Sequence, residues 1–226
     1  MTRKIMILLL IALLSYLTIQ NTFAQEVREQ NISGEIVGGL RLLSIEPDQV
    51  NDFVIYRGDY IQPSVSGQKH FTIEIPDLKI TKTFPANEGE RAYIKMKKPG
   101  SYDFTAGTIR GTIKVIEYTA TSYTELSAEQ AGQVLQNTTP LILDVRTPGE
   151  FKQGYIQGAN LLPVQVIQQH IKKLESHKDQ DIFIYCATGN RSTVASRILI
   201  KSGFKKIYNL RYGISDWAKR GYPVVQ

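Results

Sequence analysis

The chain has 226 residues, 42% of them hydrophobic and 21% charged, with 17 Gly and 9 Pro. That balance belongs to a folded globular protein and excludes a wholly disordered or collagen-like chain. One cysteine, Cys186, and three histidines, His70, His170 and His177, exclude an intrachain disulfide framework and a cysteine-rich zinc site.

Residues 1–24 have the order of a secretory signal peptide. Arg3 and Lys4 precede an apolar run from Ile5 to Leu17, broken by Ser15, and the stretch ends Thr22-Phe23-Ala24 before Gln25. Cleavage after Ala24 is expected, with the mature protein exported to a periplasm or secreted. An uncleaved anchor is the rival reading, but the run falls short of the ~20 apolar residues that span a bilayer, so no stable membrane insertion is expected. Loss of Arg3 and Lys4 lowers the formal charge from +6 to +4. What remains is uneven, with 12 Lys+Arg against 13 Asp+Glu in residues 25–119 and 13 against 8 in residues 120–226. A mild positive excess favours small anions and is too dilute for nucleic acid. A plain solvated surface accounts for most of those lysines equally well.

Residues 25–119 read as a small all-β sandwich. Asp52–Tyr56, His70–Ile75, Ala92–Met96 and Thr112–Ile116 are short β-rich runs, separated by the turn signals Arg57-Gly58-Asp59, Asn87-Glu88-Gly89 and Lys98-Pro99-Gly100. A linker over Thr119–Ser122 leads into residues 120–226, where strands and helices alternate. Ser127-Ala128-Glu129-Gln130 is a capping box opening a helix to about Gln136. Strands follow at Leu141–Val145, Ile182–Tyr185 and Ile207–Leu210, with helices at Val164–Leu174, Ser192–Ser202 and Ile214–Lys219. This alternation predicts a parallel sheet covered on both faces.

The chemistry is expected where one strand ends. Ile182–Tyr185 delivers Cys186 into the loop Ala187-Thr188-Gly189-Asn190-Arg191-Ser192, outside the carboxyl edge of a parallel sheet where ligands bind. Ser192 is suited to cap the next helix, and a loop turned tightly at Gly189 can aim successive N–H groups inward as an anion nest. Those donors, the helix dipole and Arg191 favour a thiolate, and such surroundings bring a cysteine pKa from about 8.5 to 7.5 or below. A lone cysteine is otherwise more often an inert buried hydrophobe.

Four motifs then carry a resemblance. They are Leu143-Asp144-Val145-Arg146 with Glu150-Phe151, Gly154-Tyr155-Ile156-Gln157-Gly158-Ala159, the loop Cys186 to Ser192, and Gly213 with Trp217 and Gly221-Tyr222-Pro223-Val224. Together they make residues 121–226 resemble a rhodanese domain of the single-domain sulfurtransferase type. Tyr155 departs from the family's usual His, and Tyr212 from the first of two usual glycines. Four residues separate Cys186 from Arg191, as in rhodaneses; the related dual-specificity phosphatases have one more and a His before the cysteine, where this chain has Tyr185.

The resemblance implies covalent catalysis without a cofactor or metal. Cys186 would take the outer sulfur of a small anionic donor such as thiosulfate or a polysulfide, and its persulfide would pass that sulfur to a thiol or cyanide. Ala187, Thr188, Gly189, Asn190, Arg191 and Ser192 would bind substrate, with Arg191 either touching it or bracing the loop. Asp144, Arg146 and Glu150 would support the structure as ion pairs, since buried charges persist when paired. His170 and His177 read as surface residues.

The segments Tyr56–Asp59, His70–Ile73, Lys98–Phe104 and Gly111–Val115 resemble successive strands of a cupredoxin. A blue-copper site needs two His and a Cys, usually with an axial Met. Residues 25–119 supply His70 and an ill-placed Met96, with Thr105 and Ala106 near the expected cysteine position. A cupredoxin-like sandwich without its metal is therefore expected, as an interaction module for a protein partner. Two function classes stand against each other: an exported sulfurtransferase, or a rhodanese-fold binding or sensor module without significant turnover. Retention of the whole Cys186 loop favours the enzyme.

Overall fold

The computed structural model describes residues 32–85 and 93–226, so the leader and its cleavage point lie outside the described residues. Gly34–Gln226 forms one compact unit. Its first half runs through β1 (Glu35–Val37), β2 (Leu40–Ile45), β3 (Asn51–Tyr56), β4 (Tyr60–Val65), β5 (Phe71–Ile75), β6 (Ile80–Phe84), β7 (Ile94–Lys95), β8 (Gly100–Ala106) and β9 (Ile109–Ile116). These make two sheets, ordered β1-β2-β4-β7 and β3-β9-β8-β5-β6. Pairing is parallel for β2 with β4 and for β3 with β9, and antiparallel elsewhere in the two sheets. Successive strand residues face opposite sides, so Leu43, Ile45, Ile61 and Val65 of one sheet meet Ile55, Ile73, Ile75, Phe104 and Val115 of the other in one core. Burying each such side chain contributes about 1.5–3 kcal/mol.

The second half contains β10 (Tyr123–Leu126), α1 (Ala128–Asn137), β11 (Leu141–Asp144), α2 (Pro148–Phe151), β12 (Asn160–Leu161), α3 (Ile167–His170), β13 (Asp181–Tyr185), α4 (Asn190–Lys201), β14 (Lys206–Leu210) and α5 (Gly213–Lys219). Its strands form one parallel sheet, β10-β14-β13-β11-β12. Leu143, Ile182 and Ile184 pack with Val194 and Leu199 of α4 on one face, while Phe183 and Tyr185 pack with Ala131 and Trp217 on the other. The capping box at α1 forms: Ser127 Oγ accepts from Gln130 N–H at 3.2 Å, and Gln130 Oε1 accepts from Ser127 N–H at 2.9 Å.

One helical expectation needs correction here. The helix expected over Val164–Leu174 is α-helical only in α3 and continues as a 3₁₀ stretch over Ile171–His177. Neither segment has a side-chain cap at its start, and Ile167 is the residue they bury fully. A short helix with so little tertiary anchoring tightens readily. His170 and His177 are half-buried, and their rings bond to Val166 O at 3.0 Å and Gln180 Oε1 at 2.8 Å.

The turn Arg57-Gly58-Asp59 is buried, as is every residue from Ile55 to Ile61. Turns ordinarily lie on the surface, so something must cover this one. The cover is α4. A Cβ on Gly58 would stand 2.9 Å from Asn190 O and 3.4 Å from Thr193 Cβ, so the close approach needs glycine. Asp59, 1% exposed, accepts from Arg41 Nε at 2.5 Å and from Tyr56 N–H at 3.1 Å, and it also pairs with Arg197 of α4. Arg197 lies over the Tyr56 ring, 4.7 Å from its centroid. Arg57 binds Glu117 Oε2 at 2.7 Å and pairs with Glu125 of β10, which also accepts from Arg211 Nη1 at 2.8 Å.

Candidate active site around Cys186

Strand β13 lies between β14 and β11, and its residues Ile182 to Tyr185 are fully buried. An apolar strand so placed has one direction in which to deliver its next residue, and Cys186 follows it at the carboxyl edge, 1% exposed. Gly189 N–H donates to Cys186 Sγ at 3.2 Å. The Ser192 hydroxyl lies 3.6 Å from the same sulfur and 3.0 Å from Gly189 O, two acceptors for its one proton. From below, α5 holds the loop: Ile214 N–H donates to Cys186 O at 2.9 Å and Ser215 N–H to Ala187 O at 3.1 Å. Gly189 has φ +88°, and a Cβ there would stand 1.6 Å from Arg211 O. The loop's bend and its seat against Arg211 thus both require glycine.

Ser192 does not cap the helix. Helix α4 starts at Asn190 with Gly189 in the cap position, so Arg191 and Ser192 already belong to its first turn. The left-handed Gly189 ends the loop sooner than a serine cap would, and this frees the Ser192 hydroxyl to face Cys186. Thr188 is exposed, Ala187 and Arg191 are half-buried, and Gly189, Asn190 and Ser192 are buried.

Arg191 is braced by Glu150. Its Nη1 and Nη2 donate to the two carboxylate oxygens at 2.7 and 2.6 Å. Glu150 also accepts from Thr147 N–H at 3.0 Å, while Thr147 Oγ1 accepts from Glu150 N–H at 3.3 Å, a capping box that starts α2. The Arg191 hydrogen bonds, helped by Thr147 and opposed by partial burial, bring the Glu150 carboxyl down to about 2. For Arg191, burial alone would lower the pKa, but bonding to Glu150 and the charge of Cys186 outweigh it and raise it.

Asp144 and Arg146 pair with each other and not with Glu150. Asp144 is fully buried and accepts from Arg146 N–H, Nε and Nη2 at 2.9, 2.9 and 2.5 Å. Arg146 Nη2 also donates to Gly154 O at 2.6 Å, tying the end of β11 to the segment after α2. Tyr155 stacks on Phe151 with centroids 4.2 Å apart, and Tyr212 is 54% exposed, so neither departure from the family pattern enters the loop.

Sequence reasoning overlooked Thr147 and the Asp59–Arg197 link. The first was findable, because Thr147-Pro148-Gly149-Glu150 is a capping-box pattern with proline at the first helical position. The second had no local signal, since its partners are 138 residues apart. Among the described residues, no group of three or more His, Cys, Asp or Glu is placed to hold a metal ion. Of the two residues weighed as copper ligands, His70 is exposed on the surface and Met96 is fully buried in the core.

A parallel sheet flanked by helices, with a cysteine in the loop between a central strand and a helix N-terminus, defines a class of α/β domain. The model of the rhodanese-like domain matches residues 122–220. A sulfurtransferase of Allochromatium vinosum is 41% identical over 102 residues, covering 45% of this chain and 94% of that protein. A tRNA uridine(34) hydroxylase of Photorhabdus laumondii is 32% identical over 107 residues, covering 44% of this chain and 30% of that protein. The solved rhodanese-related protein of Thermoplasma volcanium is 31% identical, with a TM-score of 0.41, over 46% of this chain and 98% of that one. Through residues 122–220 the chain belongs to the rhodanese-like domain family.

Proposed function

We propose that the protein is a sulfurtransferase that carries sulfane sulfur on Cys186. The observation that supports this best is the setting of Cys186 Sγ, held 3.2 Å from Gly189 N–H beside the Ser192 hydroxyl, in a loop with the rhodanese spacing of four residues between cysteine and arginine. The Cys186 thiolate attacks the outer sulfur of thiosulfate, the sulfur–sulfur bond of the donor breaks, and sulfite leaves with that bond's electron pair. The persulfide anion stays on Cys186, where the loop donors stabilise its charge. A thiolate or cyanide then attacks the outer sulfur, and Cys186 departs as thiolate, ready for another cycle. Arg191, with its charge matched by Glu150, braces the loop in this scheme.

The finer reading places this enzyme outside the cytoplasm, after removal of residues 1–24, with a metal-free cupredoxin-like sandwich joined to the rhodanese domain. Two facing sheets with mixed parallel and antiparallel pairing support the sandwich reading. The test is mass spectrometry of the full chain after incubation with thiosulfate. Wild type should gain one sulfur atom that cyanide removes as thiocyanate, and Cys186→Ser should gain none. A wild type that takes no sulfur from thiosulfate or polysulfide would hand the site to the binding or sensor reading. Sulfur transfer undiminished by one residue inserted after Thr188 would defeat the argument from loop spacing.

A further inference from the structure

Gly189 supplies the N–H that faces Cys186 Sγ, yet it is the residue of the loop least able to fix its own backbone. The aim of that N–H depends on what holds the Gly189 carbonyl, on the other side of the same Cα. Three donors of α4 converge there: Thr193 Oγ1 at 2.9 Å, Ser192 Oγ at 3.0 Å and Thr193 N–H at 3.2 Å. The Thr193 hydroxyl is itself held. Asn209 Nδ2 of β14 donates to Thr193 Oγ1 at 3.2 Å and to the Tyr123 hydroxyl oxygen at 2.8 Å, and the Tyr123 O–H donates to Glu125 Oε1 at 2.7 Å. The directions agree, since Asn209 has two amide hydrogens, each hydroxyl has one, and each finds an acceptor. Thr193 and Asn209 are fully buried, where low dielectric strengthens such bonds. Burial raises the Tyr123 phenol, and the charge of Glu125 raises it further against the opposing bonds from Thr193 and Asn209, so the hydroxyl stays a donor at neutral pH.

The far end of this chain lies in the β half. Glu125 accepts from Arg211 Nη1 at 2.8 Å and pairs with Arg57, whose Nε is held by Glu117 Oε2 at 2.7 Å. We propose that Glu125, Tyr123, Asn209 and Thr193 are positioning residues that aim the Gly189 N–H at the cysteine sulfur, and that Arg57, by anchoring Glu125, makes the β half part of the same device. For turnover this rests on the sulfurtransferase reading; for the aim of the N–H it rests on the hydrogen bonds alone. A donor aimed at the sulfur acts on the charge that shifts there during transfer, so its loss falls on rate and not on substrate affinity.

The test uses the full chain with Tyr123→Phe, Thr193→Val and Thr193→Ser, each close in size to the native residue. Hydrogen exchange is followed at the Gly189 amide, with the Ile184 amide of β13 as reference. Tyr123→Phe and Thr193→Val should each speed exchange at Gly189 about fivefold relative to Ile184, the size of one neutral hydrogen bond, and slow turnover with thiosulfate by a similar factor at unchanged half-saturation. Thr193→Ser, which returns the hydroxyl, should restore both. Exchange unchanged at Gly189, or raised equally at Ile184, would overturn the proposal, as would turnover that held while Gly189 exchange rose. Arg57→Met should reproduce the Gly189 effect and add nothing to Tyr123→Phe; additive effects would remove the β half from the device. If the exchange pattern appears but wild type acquires no sulfur, the positioning stands and the sulfurtransferase reading is the one that fails.

Discussion

Glu150 holds Arg191 through two hydrogen bonds of 2.7 and 2.6 Å, and it does so from a helix of four residues that its own capping box starts. The guanidinium next to the cysteine loop is thus fixed in place by a segment 41 residues earlier in the chain. Paired fork to fork, it stiffens the first turn of α4 and presents less net charge to a ligand.

That pair predicts a distinct acid response. The carboxyl of Glu150 is depressed from 4.5 to about 2 in the folded protein, so between those values the unfolded chain binds the extra proton. Its stabilisation is complete above about pH 4.5 and is lost as pH falls through about 2. Urea unfolding of wild type and Glu150→Gln should show a stability gap that is constant above pH 5 and closes over that window. A gap that widened on acidification would contradict the assignment.

Asp59 is the anion for two buried guanidiniums, Arg41 and Arg197. Asp59→Asn removes the carboxylate that both share and should cost about 3–5 kcal/mol in urea unfolding. Adding Arg197→Met should recover part of that loss, since an apolar replacement removes one stranded charge. Independent, additive effects of the two changes would show that the pair is not coupled.

Glycine is required at two seats around α4, in each case by a positive φ and a close backbone oxygen, and the closeness differs. Gly189→Ala combines φ +88° with a Cβ 1.6 Å from Arg211 O, and backbone there cannot yield as a flexible side chain would. It should lower the melting temperature strongly and abolish sulfur loading together. Gly58→Ala meets Asn190 O at 2.9 Å and should cost less, acting on the seam and sparing the fold of each half. Thermal unfolding with persulfide mass in parallel separates these outcomes.

The sandwich should bind no copper, because one imidazole and no thiolate do not make a blue site. After copper loading and dialysis, absorption and metal analysis should show no stoichiometric copper and no intense thiolate-to-copper band. Retained copper with such a band would require ligands from outside the sandwich.

The proposed export would leave a mature N-terminus at Gln25, since Thr22-Phe23-Ala24 suits a signal peptidase and the apolar run before it is short. N-terminal sequencing of exported protein should read Gln25 onward. Material still beginning at Met1 would replace this with the anchored form.

Local rules made the parallel-sheet half readable. Its strands are apolar runs, Ser127 and Gln130 announce α1, and a cysteine after Ile182–Tyr185 sits where a parallel sheet places its ligands. Ser192 misleads because a capping residue and a first-turn hydroxyl look alike in sequence, and the left-handed Gly189 decides between them. In the β half, β4 escapes because Pro63 interrupts an otherwise alternating strand, and in the parallel-sheet half β10 escapes because it is only four residues long. The contacts that join the halves leave no local trace. Arg57-Gly58-Asp59 reads as an ordinary surface turn, and its burial follows from a helix more than a hundred residues away.

Arg197 also sets how the protein may be taken apart. It lies on the same helix that begins beside Cys186, and its carboxylate partner belongs to the other half. A fragment cut within Thr119–Ser122 would keep the guanidinium and lose Asp59, while Glu125 would lose Arg57 and Arg211 would lose Glu117. Swapping this cysteine-bearing half onto a foreign neighbour would therefore transplant a socket without its plug. Compensating replacements at Arg197 and Glu125 belong in any such graft.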